Sequence, residues 1–318
     1  MQIPNRLEHM PISFFAMVMG LAGLTLAWEK ASEIYQFSSI IFSTLLVQSI
    51  LVFILLAVMY IYKGLNFREA ILKEWANPIK MNFIPAISIS LLLFAVAFMS
   101  ISVQVSLVLW ATGTILHMVI SMMVMNSWLH HEKFEIHHMN PAWFIPAVGN
   151  VIVPLAGVPL GYIELSWFFF SIGMMFWLIL MIIVFNRIIF HTPLPEKLLP
   201  TLFILIAPPA VGFMAYVKLT GGLDAFAQVL FNFALFLTIL LLSQLPRFAR
   251  LPFFMSWWAY SFPLAAMSIA SMVMGLITGK EFYGNIGLGL LFSLSALVVL
   301  LLFKTFKAAQ KGKICVAD

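Results

Sequence analysis

Few side chains in this sequence could carry chemistry, and their spacing argues against catalysis. Four of the seven histidines, His130, His131, His137 and His138, crowd one short stretch around Glu132 and Glu135. Paired histidines can hold a transition metal, but no framework of fixed ligand spacings surrounds them, so the stretch reads as a solvated loop. His117 stands alone in an apolar run. It could be a proton site, yet a lone neutral imidazole bonded to a neighbouring helix is the simpler reading. Cys315 is the single cysteine, so no disulfide forms within the chain. There is no zinc spacing, phosphate loop, glycine-rich nucleotide fingerprint or nucleophile elbow. An enzyme, a bound cofactor and a metal centre are therefore not expected.

What does recur is aromatic-proline punctuation. Phe83-Ile84-Pro85-Ala86, Phe144-Ile145-Pro146-Ala147, Ala207-Pro208-Pro209-Ala210 and Phe262-Pro263-Leu264-Ala265 place prolines 61, 62 and 55 residues apart. That period suits a pair of membrane spans with their loops. Proline deletes a backbone hydrogen bond and clashes with the preceding turn, so Pro263, within the apolar run Trp257 to Gly275, predicts a bend or opening there.

The elements that carry these sites follow from composition. The 318 residues are 63% hydrophobic and 9% charged, with mean hydropathy +1.05, whereas a soluble domain carries about 25% charge. Apolar runs predict ten spans: 12–29, 39–62, 82–100, 104–129, 142–160, 164–189, 198–218, 225–245, 253–275 and 282–306. Pro154 and Pro159 crowd the end of the fifth. The short alternating segments of a β-barrel are absent. The first run, which follows Arg6, lacks a small-x-small cleavage site and reads as a retained span. The chain is thus one transmembrane domain, with a short N-terminal segment 1–11 and a tail 307–318.

Fourteen of the seventeen Lys and Arg fall on the side that holds both termini; Lys30, Lys218 and Lys280 fall on the other. By the positive-inside rule both termini are cytoplasmic, and the net charge of +5 is a topogenic signal with no bearing on nucleic acid. The prolines divide as sharply: all sixteen lie outside the even spans, while Pro85, Pro146, Pro154, Pro208, Pro209 and Pro263 lie inside odd ones. Irregular backbone at membrane depth survives only in protein or beside a wet cavity. The expected architecture is all-α: five helical hairpins, odd helices inside around a central pore and even helices outside.

Candidate pore-lining or bend residues are Phe14, Gly20, Pro85, Pro146, Asn150, Pro208, Pro209, Ser261, Phe262 and Pro263. Asn150 faces either the pore or a packed polar contact. Glu164, Asp224 and Glu281 sit at the starts of even spans, and no Lys or Arg lies at mid-membrane. A proton-coupled carrier usually needs a titratable relay and a basic residue, so passive flow is favoured. Backbone N–H groups freed at the breaks, and the hydroxyls of Ser13, Ser88, Ser261 and Ser268, are expected to be weak donors for a permeating anion. Carbonyls at the same breaks would suit cations.

The opening Ser13–Trp28, SFFAMVMGLAGLTLAW, the FIPAV of the fifth span and the WAYSFPLAAMS of the ninth resemble the bacterial TehA proteins, homologues of the plant guard-cell slow anion channels in the wider tellurite-resistance and dicarboxylate-transporter family. The resemblance runs from about residue 11 to 306. It implies five inner helices around a pore, homotrimers in a bacterial inner membrane, anions as the permeating species, and a phenylalanine plug that Phe262 matches through Tyr260-Ser261-Phe262. An oxyanion or C4-dicarboxylate carrier of the tellurite, sulfite or malate type is the alternative. Pro263 stands where the family usually has glycine, and Val18 where its first inner helix has proline.

Overall fold

The computed structural model describes residues 6–316, and among them every regular element is helical. Five long, uninterrupted helices supply the even spans: α2 (Ser39–Asn66), α5 (Val103–His130), α7 (Ile163–Phe190), α9 (Ala225–Leu242) and α12 (Glu281–Gln310). The odd spans end in α1 (Phe15–Tyr35), α4 (Ala86–Phe98), α6 (Ile145–Gly157), α8 (Ala207–Thr220) and α11 (Ser261–Thr278). Two short helices, α3 (Arg68–Ala76) and α10 (Leu245–Ala249), follow α2 and α9 on the lysine-rich face. Among the described residues nine spans are long and apolar enough to cross a membrane; the fifth, Pro141–Gly157, is shorter.

Each odd span begins as a tighter 3-10 segment before its α-helix starts. The segments are Ile12–Phe14, Lys80–Phe83, Pro141–Phe144, Glu196–Ile206 and Met255–Tyr260. This corrects the expected bend at mid-helix. Pro85 caps α4, Pro146 and Pro208 lie at the start of α6 and α8, and Pro263 lies in the first turn of α11. A first-turn position needs no amide hydrogen, so these prolines start helices and cost them little. Pro154 is the exception, inside α6.

The odd spans pack as a closed cycle: α1 against α4 and α11, α4 against α6, α6 against α8, and α8 against α11. Their 3-10 segments touch in the same cyclic order. Each odd span also packs on the even span that follows it. Burial follows this arrangement, with 94% of the most apolar window of the seventh span buried against 22% in the second. Small residues let the inner helices approach closely: a Cβ on Gly20 would overlap Ser261, and one on Gly23 would lie 3.3 Å from Phe262 Cδ2. Without a hydrophobic drive between helices in lipid, such close packing is what holds them together.

On the lysine-rich face a buried ion pair fastens the chain's start. Lys63 Nζ lies 3.1 Å from Glu74 Oε2 and donates to the Met10 carbonyl at 2.8 Å. Glu74 also accepts from the Ile12 amide at 3.1 Å and the Tyr60 hydroxyl at 2.8 Å. Two desolvated charges are tolerated because each meets its opposite and further hydrogen-bond partners.

Candidate functional site

At the junctions between 3-10 and α segments, all five odd spans contribute to the wall of one small space. It measures about 30 Å³ and is lined by Ala16 and Met19, by Phe83, by Ile145 and Val148, by Ile204 and Ala207, and by Trp258, Ala259, Phe262 and Pro263. No charged side chain and no hydroxyl belongs to this wall. A space of that size holds about one water, and an apolar one gives it nothing to bond to. Trp258 is held in place by its indole N–H, which donates to Thr305 Oγ1 of α12 at 3.0 Å.

Of the residues expected from the sequence, Phe262 and Pro263 line this cavity. Phe14 lies instead on a separate hollow of about 390 Å³ on the lysine-rich face. Gly20 and Ser261 meet at the α1–α11 crossing, and Pro85, Pro208 and Pro209 mark helix starts. Pro146 offers its carbonyl to several donors. Asn150 is buried; its side-chain amide donates to that carbonyl at 2.7 Å, while its Oδ1 has no hydrogen-bond partner among the described residues. One signal would have found more of the wall. Ile145, Ala207 and Phe262 each immediately precede a proline, and all three face the cavity.

Three of the four hydroxyls expected as anion donors are engaged with carbonyls in this conformation. Ser88 donates to Pro85 O at 2.8 Å, Ser261 to Trp258 O at 2.6 Å and Ser268 to Gly287 O at 2.7 Å. The breaks do not leave their amides bare either. Ile84 N bonds Met81 O at 3.2 Å, and Trp257 N bonds Phe254 O at 3.0 Å, as 3-10 geometry allows. The constriction in this conformation is therefore purely apolar.

His117 reaches from α5 into the inner layer. Its Nδ1 lies 2.9 Å from Ser88 Oγ and its Nε2 3.1 Å from Pro146 O, and its ring lies where a Cβ on Gly149 would be. Glu29, near the end of α1 opposite the lysine-rich face, accepts from Ser100 Oγ at 2.5 Å, with Lys30, Glu33 and Lys218 around it. Its place at the edge of a span, beside Lys30, Ser32 and Glu33, gave no sign of this in the sequence. In the histidine loop, His137 Nδ1 pairs with Glu135 Oε2 at 3.1 Å. Burial, then the neighbouring His137, holds the His138 imidazole below its ordinary value. Among the described residues no three His, Cys, Asp or Glu converge as metal ligands. In the tail, burial pushes the Cys315 thiol up, against the opposing pull of Lys63 and Arg6.

Apolar helices long enough to cross a membrane, arranged as an inner cycle around a chargeless constriction, define a multi-pass membrane transport protein. The profile of the SLAC1 family, described as voltage-dependent anion channel, matches residues 9–306, and the chain belongs to that family. It is 30% identical to the S-type anion channel SLAH3 of Arabidopsis thaliana over 269 residues, 82% of this chain and 42% of that protein. It is 26% identical to the tellurite resistance protein TehA homolog of Haemophilus influenzae over 306 residues, 96% of this chain and 92% of that one. An uncharacterized transporter of Methanocaldococcus jannaschii, MJ0762, is 25% identical over 97% of both chains. The chain spans about half the length of the plant channels SLAH2 and SLAH3.

Proposed function

We propose that this protein is a gated channel passing small monovalent anions along the axis of its five odd spans, with Phe262 as the gate. The observation that carries the reading is a cavity to which all five odd spans contribute, with Phe262 in its wall and no charged side chain among the described residues that line it. A bore too narrow and too apolar to stay wet blocks ions by both sterics and dewetting. Opening then requires the benzyl group to leave the axis. Absence of a charged binding residue at the constriction favours rapid passage over tight binding, and family membership supplies the sign of the ion.

The lysine-rich face, with both termini, is assigned to the cytoplasm by the positive-inside rule. A bacterial inner membrane and a homotrimeric assembly complete the reading.

The test is current through Phe262→Ala in oocytes or planar bilayers, with reversal potentials in mixed salts. The expected result is a conductance at least tenfold above the parent, reversing near the anion equilibrium potential, since removing an occluding ring lifts a barrier of more than about 1.4 kcal/mol. Unchanged conductance overturns the gate. A flux that saturates and follows a proton gradient would make the protein a carrier of oxyanions or C4-dicarboxylates.

A further inference from the structure

Two hollows on the outer surface meet at Lys304. One, of about 400 Å³, brings together Lys304, Lys307, Lys311 and Lys313 with an aromatic side formed by Phe253 and Phe254, and among the described residues no acidic side chain lines it. The other, of about 410 Å³, is an apolar groove toward the membrane interior, walled by Leu242, Leu245, Leu297 and Leu300. Lys304 lines both, with its ammonium 4.9 Å from the centre of the Trp257 ring.

Sequence and helix geometry explain the pairing. Lys304, Lys307 and Lys311 follow one another at three- and four-residue steps, so they share a face at the end of α12. That face continues the stripe holding Leu297 and Leu300, so one helix presents an apolar surface that turns basic as it leaves the membrane. Leu245, half exposed on α10, forms the opposite wall.

Two further groups at this junction lack partners. Trp257 and Tyr260 both line the apolar groove and are 7% and 6% exposed. Neither the Trp257 indole N–H nor the Tyr260 hydroxyl has a hydrogen-bond partner in the structure. Buried donors of this kind ordinarily find an acceptor.

We infer that these two hollows form one binding site for an anionic glycerophospholipid, its phosphate headgroup among the four lysines and an acyl chain in the leucine groove. Lysine clusters where a span leaves the bilayer attract anionic headgroups, and basic pockets between spans hold them. The glycerol ester carbonyls fall at the level of Trp257 and Tyr260; both polar atoms are closed off from the groove surface in this conformation, and a bound lipid that parts the groove brings them the acceptors they lack. A free anion would use the lysines and leave the groove and both donors unsatisfied. The site adjoins the Met255–Tyr260 segment, so the lipid braces the wall behind Tyr260 without entering the cavity.

The experiment is native mass spectrometry of the full chain after equilibration with mixed phosphatidylglycerol and phosphatidylcholine, a readout independent of conductance. The parent protein is expected to retain phosphatidylglycerol over phosphatidylcholine by tenfold or more, because each lysine near the headgroup contributes about fivefold. The triple variant Lys304→Gln, Lys307→Gln, Lys311→Gln should lose that preference. Leu297→Trp should fill the groove and lower retention of the same lipid with the lysines intact, and Tyr260→Phe should weaken retention roughly fivefold. Equal retention of the two lipids by the parent overturns the proposal, as does a preference that survives the triple substitution. Displacement by inorganic phosphate alone would reassign the lysines to a free anion, and lipid-free protein cross-linked between copies through Leu245→Cys would show that a second chain covers the groove.

Discussion

The even and odd spans are both apolar yet built differently. α2, α5, α7 and α12 run for 28 to 30 residues as unbroken α-helices, and their surfaces expose side chains such as Ile54, Ile115, Ile182 and Val299. The odd spans begin in 3-10 segments, carry the prolines and bury nearly everything, including every residue of α6. The difference follows from the surroundings. A helix facing acyl chains must satisfy every backbone group within itself, whereas one enclosed by other helices can use shorter hydrogen bonds and first-turn prolines. Irregularity is thereby confined to where five spans converge, and there it brings Phe83, Trp258 and Phe262 to one cavity.

The largest expected effect is on the outer side. Ile115, 67% exposed near the middle of α5, should tolerate leucine, but Ile115→Arg should cost about 3 kcal/mol of insertion free energy. Glycosylation mapping of the inserted fraction measures it. A neutral outcome would mean that this face is not covered by lipid, and the contrast between the layers would fail.

A pair of glycines sharpens the same contrast. Gly149→Ala would push a methyl into the His117 ring and should cost about 2 kcal/mol by overpacking, lowering the melting temperature of the purified protein. Gly289, on the outer helix α12, has open space around it, so Gly289→Ala should gain about 0.5–1 kcal/mol from helix propensity. Equal effects at the two sites would show that α6 is no more tightly enclosed than α12.

Next in size is His117→Ala. It removes the contacts to Ser88 and Pro146 and should cost about 1–2 kcal/mol, in the upper range for polar contacts between membrane helices. Because the vacated ring space accepts a methyl, adding Gly149→Ala should cost less than the two single changes together, a coupling that a double-mutant cycle reads directly.

The unequal placing of prolines between odd and even spans was legible in the sequence, and Phe262, picked out by its place before Pro263 and by the family resemblance, lines the cavity. The form of the break was not legible. A 3-10 segment and an α-helix bury the same apolar residues, so hydropathy cannot separate them, and Pro263 looks mid-helix until the helix is seen to begin at Ser261. The Lys63–Glu74 pair was hidden for another reason. Counted as a topogenic charge, Lys63 gives no sign that it turns inward to a carboxylate on the next helix. The hydrogen bonds of the serines were not legible either, because a hydroxyl in an inner span has a carbonyl within reach on its own or a neighbouring helix.

Ser268 turns that last point into the finest test. Its hydroxyl crosses from α11 to Gly287 O of α12, joining an inner span to its outer neighbour. If the bond is structural, Ser268→Ala should cost about 0.6 kcal/mol, the average for such bonds in membranes, and leave the conductance of a Phe262→Ala background unchanged. If the hydroxyl instead serves a passing anion, stability should hold while conductance or the selectivity among anions shifts. Measuring melting and current on the same two variants separates a serine that holds the layers together from one that faces the ion, and the present geometry predicts the former.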